Sequence, residues 1–295
     1  MSRAPEDTRV SHAPEDTRVL PGRELAAALR GETADRASEL AAAGTPPHLA
    51  VVTATADESS AWYVRSIARA AEKAGLRCTV RDLGPDVSPD TVRDTLKEVS
   101  GDPAVHGVIL QTPLPAGAVA QELASVIDPV KDVDGANPLS LGRLAARLPA
   151  FAPATAEAVM ALLDHHKVEL EGRHAVVVGR STVVGKPLAH LLLDRNATVT
   201  VCHSRTRELA ALTSTADVLI AAVGRPGLIR AEHVRPGAVV IDVGTNPTQD
   251  GGLTGDVDAD SVEGRAGALT PVPGGVGPVT TALLLQHTIR AALTL

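Results

Sequence analysis

Two glycines, Gly179 and Gly185, interrupt an apolar stretch at a point where a phosphate-binding turn would lie. The preceding residues 174–178 are rich in β-branched side chains, and the residues after Pro187 follow a helical apolar pattern. This order predicts a buried strand, a tight turn and a helix, followed by a second strand over 197–202. The first N–H groups of such a helix are unpaired and can bind a pyrophosphate. The stretch therefore predicts half of a mononucleotide-binding βαβ unit.

The spacing of these glycines leaves two interpretations open. Five residues separate Gly179 from Gly185, whereas G-x-G-x-x-G is the usual dinucleotide pattern. A P-loop is excluded, because it needs Ser or Thr after its lysine, and here Pro187 follows Lys186. Taken alone, the stretch indicates either a dinucleotide site or a βα turn that binds no cofactor.

A cluster of carboxylates and a pair of aromatic rings elsewhere in the sequence are each open to two interpretations. Asp128, Asp132 and Asp134 fall within seven residues of one turn. Carboxylates this close must be hydrated or bind a partner, so the turn is either a solvated loop or part of a ligand site. The adjacent Trp62 and Tyr63 lie in a helix-like segment, where such rings serve as a core plug or as a stacking platform.

Length, charge and cysteine content exclude several classes of protein. A chain of 295 residues exceeds what one core usually holds, so we expect two domains. The formal net charge of -7 offers no basic face for nucleic acid, and no apolar run is long enough to span a membrane. Cys78 and Cys202 form neither a spaced metal set nor a disulfide framework, and the polar N-terminus lacks the layout of a signal peptide. We expect a cytoplasmic protein without a metal ion.

Elsewhere the chain alternates predicted strands and helices, which favours a parallel sheet. A direct duplication of Ala-Pro-Glu-Asp-Thr-Arg-Val within residues 1–19 is too short and polar to pack, and predicts a disordered tail. Apolar periodicity predicts helices over 20–43, 59–75, 88–99, 156–165 and 279–293, and strands over 48–53, 77–82, 105–111, 216–223 and 238–243.

Five motifs, in order along the chain, resemble those of the bifunctional methylenetetrahydrofolate dehydrogenase/methenyltetrahydrofolate cyclohydrolase family. They are Gln111-x-Pro113-Leu114-Pro115, Lys131-Asp132-Val133-Asp134-Gly135, Gly179-Arg180-Ser181-x-x-Val184-Gly185-x-Pro187, Cys202-His203-Ser204-x-Thr206 and Pro271-Val272-Pro273-Gly274-Gly275-Val276-Gly277-Pro278. The resemblance runs from about residue 20 to the C-terminus, and the unusual glycine spacing is the family's own.

The resemblance implies an α/β fold of two domains with a folate-binding cleft between them. The folate domain would comprise 20–148 and 279–295, with the C-terminal helix returning to it, and a Rossmann-like parallel-sheet NADP domain would comprise 149–278. It further implies tetrahydrofolate derivatives as substrates and a homodimer formed through the nucleotide domain. No nucleic acid or membrane partner is expected.

Roles for single residues also follow from the resemblance. Tyr63 would stack on the folate, Asp134 would bind the amide and amino edge of the pterin, and Gln111 would lie beside the reacting carbon. The cleft wall would be shaped by Pro273, Gly274 and Gly275. The chemistry agrees, because a carboxylate accepts paired N–H donors and glycine lets the backbone approach a ligand closely.

The end of the second nucleotide-domain strand bears on the choice of cofactor. NAD enzymes commonly place an acid there for the ribose 2′-OH, whereas this chain has His203-Ser204-Arg205. Ser204, Arg205 and Arg180 offer donors and positive charge to a 2′-phosphate, so NADP is favoured. Arg205 is equally interpretable as a surface arginine. The pyrophosphate would lie on the turn formed by Gly179, Ser181 and Gly185.

One departure from the family affects the expected chemistry. The family's pattern is Tyr-x-x-x-Lys, with the lysine central to the cyclohydrolase step, and here Ile67 stands four residues after Tyr63. One helical turn places Ile67 at the lysine's position, pointing where it pointed, whereas Arg65 lies on another side of the helix. Hydride transfer needs alignment more than a base, but water addition needs a proton-transfer group worth roughly 10²–10⁴-fold.

We therefore expect an NADP-dependent methylenetetrahydrofolate dehydrogenase whose cyclohydrolase step is weak or lost. Three rivals stay open: a bifunctional enzyme that uses another group, a non-catalytic folate-binding paralogue, and a dehydrogenase for a related one-carbon substrate. Smaller departures from the family at Ser140 and Ala154 weaken the substrate assignment. Retention of Tyr63, Gln111 and Asp134 argues against a mere scaffold.

Overall fold

Helices and strands alternate through most of the protein in a computed structural model that describes residues 16–248 and 250–295. The helices are α1 (Arg23–Ala42), α2 (Glu58–Lys73), α3 (Pro89–Gly101), α4 (Ala120–Ala124), α5 (Pro138–Ala145), α6 (Ala154–His165), α7 (Gly185–Asp194), α8 (Leu209–Thr213), α9 (Ala259–Val262) and α10 (Val276–Thr294). The strands are β1 (Arg18–Val19), β2 (His48–Thr53), β3 (Arg77–Asp82), β4 (Gly107–Leu110), β5 (His174–Val178), β6 (Thr198–Cys202), β7 (Val218–Ala221), β8 (Val239–Asp242), β9 (Asn246–Pro247), β10 (Leu253–Thr254) and β11 (Ala268–Leu269).

These strands form two parallel sheets, as the alternation predicts. The smaller sheet has the order β3-β2-β4, and the larger has the order β1-β11-β8-β7-β5-β6. The central strands β2 and β5 are covered on both faces, which explains their continuous apolar runs. Strands β9 and β10 form a separate antiparallel pair. The carboxyl ends of β5 to β8 consequently share one edge of the larger sheet.

Helix α2 presents one face to the core and an adjacent face to the space between the sheets. It begins where the Asp57 carboxylate accepts a 2.7 Å hydrogen bond from the Ser60 N–H, satisfying one free donor of its first turn. Val64, Ile67 and Ala71 recur at helical spacing and are buried against the smaller sheet. This packing fixes the rotation of α2 and hence the direction of every other side chain on it.

The C-terminal helix α10 returns to the first domain, as the resemblance implies. Its later residues Leu285 and Ile289 pack in the core of the smaller sheet. Its earlier residues Val279 and Leu283 pack with α6 and the larger sheet. The helix therefore ties the two domains together.

The chain enters the larger sheet earlier than the sequence predicts. Arg18 and Val19 form β1, which pairs in parallel with β11, and the Thr17 hydroxyl donates to the Ala266 carbonyl at 2.9 Å. The predicted end of the tail at residue 19 is therefore wrong, because backbone hydrogen bonds to a sheet edge leave no apolar pattern. Residues 1–15, where most of the predicted tail falls, lie outside the described residues.

Among the described residues, no helix is long and apolar enough to cross a bilayer.

Candidate active site

A cleft of about 520 Å³ lies between α2 and the carboxyl edge of the larger sheet. Its walls bring together Tyr63, Gln111 and the predicted loop of Pro273, Gly274 and Gly275. The remaining lining residues are Ser59, Ser60, Trp62, Ser66, Thr155, Asp242, Val243, Gly244, Thr245, Leu253, Pro271, Val272, Val276, Gly277, Pro278, Thr280 and Thr281. Neither lysine, arginine nor histidine lines this cleft within the described part of the chain.

Tyr63 is half-buried on the cleft side of α2, with its ring against the core of the smaller sheet. Burial raises the pKa of its hydroxyl, and the charge of Asp134 raises it further. The hydroxyl therefore stays protonated at physiological pH. A neutral ring fixed at a cleft wall suits the stacking role better than that of a base.

The side chain of Ile67 does not point into the cleft, contrary to the expectation from its spacing. It is fully buried in the core of the smaller sheet with Val64 and Ala71. Ser66, one residue earlier, lines the cleft instead. The apolar side chain is drawn into the core by burial, a direction that an amine would avoid.

Gln111 follows β4 and is held at the cleft by the backbone on both sides of it. Its N–H donates to the Val52 carbonyl at 2.9 Å, and its side-chain amide donates to the Thr112 carbonyl at 2.6 Å. The Ser60 hydroxyl donates to that same carbonyl at 3.1 Å. The loop after β4 is thereby tied to α2, and Gln111 and Tyr63 line the same cleft.

The carboxylates of the charged turn have separate environments. Asp132 is fully buried and is a structural residue, so a wholly solvated turn is excluded. Its oxygens accept from the Ala136 N–H (2.9 Å), the Asn137 N–H (2.9 Å) and the Ser140 hydroxyl (2.7 Å). Asp134 is half-buried, and burial, followed by the charge of Asp132, raises its pKa to about 7. Asp134 is therefore the carboxylate of this turn placed near Tyr63. It accepts a backbone hydrogen bond from Ala154, and it does not belong to the residues that line the cleft.

A buried histidine supports this turn from α10, and the sequence analysis missed it. His287 is fully buried, and its Nδ1 donates to the Val133 carbonyl at 2.7 Å. Its Nε2 lies 3.0 Å from a carboxylate oxygen of Glu157, and its ring packs on Phe151 with centroids 5.0 Å apart. More than 150 residues separate His287 from Val133 along the chain, so no local pattern reveals the contact.

Two buried aspartates, also missed, hold the loops behind the cleft, and the first of them, Asp242 at the end of β8, lines it. Asp242 accepts hydrogen bonds from the N–H groups of Gly244, Asp256 and Val257, each at 2.9 Å. Asp256 accepts in turn from the N–H groups of Val223 (2.6 Å), Gly224 (3.0 Å) and Arg225 (2.8 Å). Burial raises the pKa of Asp242 to about 6. The repeated pairing of Asp with Gly at 242–244 and 255–256 was the available sequence signal.

The predicted nucleotide turn is closely packed around its two glycines. Gly179 has φ of +135°, and a Cβ there would overlap the Ala222 carbonyl. A Cβ on Gly185 would overlap the Gly179 carbonyl. Ser181 closes the turn, because its hydroxyl accepts from the Val184 N–H at 3.1 Å. Both glycines are therefore required by close backbone contacts at the start of α7. Around them, the Lys186 N–H also donates to the Ser181 carbonyl at 3.0 Å, and Pro187 has no N–H to donate.

Replacing Gly185 with alanine tests this packing. We expect Gly185→Ala to lower stability by about 2–3 kcal/mol, because the start of α7 must move away from the turn. The affinity for NADP⁺ should fall with it, as measured by calorimetry beside a thermal melt. Gly142→Ala is the matched control, since an added Cβ there meets no atom within 4 Å. A Gly185→Ala protein as stable as this control would contradict the packing.

The residues predicted to meet a 2′-phosphate share one edge of the sheet. Val178 and Cys202 are paired in register, so Arg180 and Ser204 follow neighbouring strand ends. Arg180, Ser204 and Arg205 are exposed, and in the described structure neither arginine side chain forms an ion pair or hydrogen bond. No acidic side chain stands at the end of β6. Uncompensated cations and a hydroxyl at this place fit a phosphate group.

Two family models match this chain, one in each half. Residues 20–134 match the family model "Tetrahydrofolate dehydrogenase/cyclohydrolase, catalytic domain". Residues 153–295 match "Tetrahydrofolate dehydrogenase/cyclohydrolase, NAD(P)-binding domain". The chain is 68% identical to "Bifunctional protein FolD 1" of Saccharopolyspora erythraea, over 92% of this chain and 93% of that protein.

Solved structures agree with this assignment. The bifunctional enzyme FolD of Campylobacter jejuni is 36% identical with a TM-score of 0.90, over 94% of this chain and 99% of the other. The Trypanosoma brucei FolD, complexed with NADP cofactor and inhibitor, is 36% identical with a TM-score of 0.89, over 95% and 98% of the two chains. By sequence and structure alike, the chain belongs to the tetrahydrofolate dehydrogenase/cyclohydrolase family.

Proposed function

We propose that this protein oxidises 5,10-methylenetetrahydrofolate to 5,10-methenyltetrahydrofolate with NADP⁺, and that its cyclohydrolase step is weak or lost. The dehydrogenase part follows the family and the curated relatives, which are named bifunctional. The second part departs from those names. It is supported chiefly by a single observation: the described cleft residues include no amine, guanidinium or imidazole.

The cleft residues support hydride transfer without a base. In this proposal Tyr63 stacks on the folate, Asp134 accepts N–H groups of the pterin, and the Gln111 amide lies beside the carbon that loses hydride. Bound NADP⁺ supplies the hydride acceptor. The electron pair that drives the departure of hydride comes from the folate nitrogen, so the protein's task is alignment and exclusion of water.

Hydration of the methenyl product makes different demands. A proton must leave the attacking water and another must reach the folate nitrogen, and a positioned acid or base normally speeds such steps by roughly 10²–10⁴-fold. Ile67 can do neither, and it lies in the core. Asp242 is the ionisable cleft carboxylate, but three backbone N–H groups already occupy its oxygens. The acidic side chain that lines the cleft is thus committed to structure.

The proposal is tested by following both steps in one assay. Purified protein with methylenetetrahydrofolate and NADP⁺ should form NADPH and accumulate the methenyl product, whose decay should match its spontaneous rate. A bifunctional relative run in parallel should show no such accumulation. Failure to form NADPH where that relative succeeds would reject the enzyme, and decay well above the spontaneous rate would reject the monofunctional form.

Cofactor preference gives a second test of the site. Arg180→Ala should raise the KM for NADP⁺ about tenfold and leave that for NAD⁺ nearly unchanged, because only NADP⁺ carries the 2′-phosphate. Steady-state kinetics with each cofactor measures this split. Arg207→Ala, on an exposed arginine after the same strand, is the control. Equal effects of Arg180→Ala on both cofactors would contradict this placement of the 2′-phosphate.

We also propose a homodimer formed through the nucleotide domain. Strand β6 is the edge of the larger sheet, and Val201 on it is exposed. Light scattering at micromolar concentration would measure the state.

A further inference from the structure

Asp134 lies where the two domains meet. Its carboxylate accepts a hydrogen bond from the N–H of Ala154, the first residue of α6. This N–H is one of the free donors of a helix whose N-cap, Pro153, offers no side-chain hydrogen bond. A Cβ on Gly135 would lie 2.5 Å from the Pro153 nitrogen, so the turn and the start of α6 are in direct backbone contact. The carboxylate that the pterin would meet is thus fixed to α6.

A second connection between the turn and α6 runs through His287. Glu157, in the first turn of α6, places a carboxylate oxygen 3.0 Å from the His287 Nε2. The Nδ1 of the same ring donates at 2.7 Å to the carbonyl of Val133, the residue before Asp134. These contacts close a ring that runs from Asp134 through α6 and His287 back to Val133.

The partners of His287 determine where its protons lie. A carbonyl oxygen only accepts hydrogen bonds, so Nδ1 carries a proton. Nε2 is shielded from water, and it faces the Glu157 carboxylate. Burial would raise the pKa of Glu157, but its contact with His287 and the charges of His287 and Arg290 outweigh that effect and lower it. The arrangement therefore fits an ion pair between a buried imidazolium and the Glu157 carboxylate.

The charge of His287 acts on the turn that it supports. Burial raises the pKa of both Asp132 and Asp134, and the charge of His287 opposes that rise in each. The ionisable side chains around His287 are Glu157 from α6, Arg290 from α10, and Asp132 and Asp134 from the turn, with Tyr63 of α2 beyond Asp134.

We propose that Glu157 is a positioning residue for the folate-binding carboxylate: through His287 it keeps Asp134 in place and in its charged form. This rests on the proposed function, in which Asp134 binds the pterin. Glu157 does not line the cleft, so it acts only through His287. Without its carboxylate the buried imidazolium has no counter-charge and gives up one proton, because an unpaired buried charge is costly. Asp134 then loses the cation that opposes its burial.

Glu157→Gln tests this role, because it keeps the shape of the side chain and its amide can donate to a neutral Nε2. The fall of kcat/KM for the folate at low pH should begin about one pH unit higher, as expected for loss of a nearby opposite charge. The pKa of Asp134 is about 7 in the unmodified protein. At pH 7 kcat/KM should therefore fall about fivefold, and at pH 9 it should change little. Glu157→Asp, which keeps the charge, should restore most of the activity at pH 7.

Two further variants separate this role from a structural one. Asp164→Asn is the matched control, because it removes another carboxylate of α6, one that lies 2.6 Å from Arg195. Its pH profile should not move. The double variant Glu157→Gln/His287→Asn should match His287→Asn alone, since both changes act through one ring. An unmoved profile in Glu157→Gln, equal losses at pH 7 and 9, or a further shift from Glu157→Gln in the absence of His287 would overturn the proposal.

Carboxyl NMR distinguishes failure of this proposal from failure of the dehydrogenase. If no folate gives NADPH, the proposed function fails, and ¹³C-labelled protein still shows the titration of Asp134, which is assigned by its absence in Asp134→Asn. The midpoint should lie near pH 7 in the unmodified protein and about one unit higher in Glu157→Gln. Equal midpoints in the two proteins would reject the action of Glu157 on Asp134, whatever the activity.

Discussion

Ile67→Lys is expected to raise enzymatic hydrolysis of methenyltetrahydrofolate by roughly 10²–10⁴-fold while leaving NADPH formation broadly intact. Ile67 is fully buried beside Tyr63 on α2, and Ser66 next to it lines the cleft. A lysine there has a long apolar stem that can pack in the core while its amine reaches the cleft. Decay of the methenyl product, corrected for the spontaneous rate, measures the gain.

The new amine would also have a suitable pKa. Apolar surroundings and a cationic substrate both disfavour its charged form, which lowers its pKa towards neutrality. Ile67→Met is the matched control, because it has similar length and no amine, and it should give no gain. If the unmodified protein already hydrolyses the methenyl compound as fast as Ile67→Lys, another group performs the step and the proposal of a lost cyclohydrolase is wrong.

The direction of Ile67 shows where spacing alone is insufficient. Residues three and four positions apart share a helix face, so Ser66 and Ile67 both lie on the side of Tyr63. Which of them meets the cleft depends on the rotation of α2, and burial of Val64 and Ala71 sets that rotation. The local sequence therefore predicted the face, and the packing decided the side chain.

Elements with long apolar patterns were predictable, and short ones were not. Strand β2 and helix α3 lie within a few residues of their predicted bounds, since burial of a whole face leaves a clear period. Strands β1 and β11 have two residues each, too few for any period. The hydrogen bond from His287 to Val133 likewise forms because α10 returns to the first domain. The resemblance implied that return, but it did not indicate which side chains make contact there.

Asp134→Asn is expected to lower kcat/KM for the folate by about 100-fold, because the variant loses charge-assisted hydrogen bonds to the pterin. Because the pKa of Asp134 is raised to about 7, the unmodified enzyme should itself lose kcat/KM as pH falls through that value. In Asp134→Asn this fall of kcat/KM at low pH, the acidic limb of the pH profile, should disappear. A full pH profile measures both, and an unchanged limb in Asp134→Asn would assign the titration to another group.

The thermal stability of Asp134→Asn should rise, although its kcat/KM falls. A carboxyl whose folded pKa lies above its unfolded value destabilises the fold as pH rises through the interval between them, here from about 4 to 7. Asp134→Asn should therefore melt at a higher temperature than the unmodified protein at pH 8, and the gap should close towards pH 4. Simultaneous loss of stability and activity at pH 8 would instead indicate a structural role for this carboxylate.

His287→Asn tests the buried histidine that supports the turn carrying Asp134, again through the pH profile of kcat/KM. The charge of His287 lowers the pKa of Asp134, opposing burial and Asp132, and its Nδ1 holds the Val133 carbonyl next to Asp134. Without it, the acidic limb of kcat/KM should move to higher pH, so activity should fall more at pH 7 than at pH 9. A merely structural loss would lower both equally, and that outcome would separate support of the fold from control of the Asp134 charge.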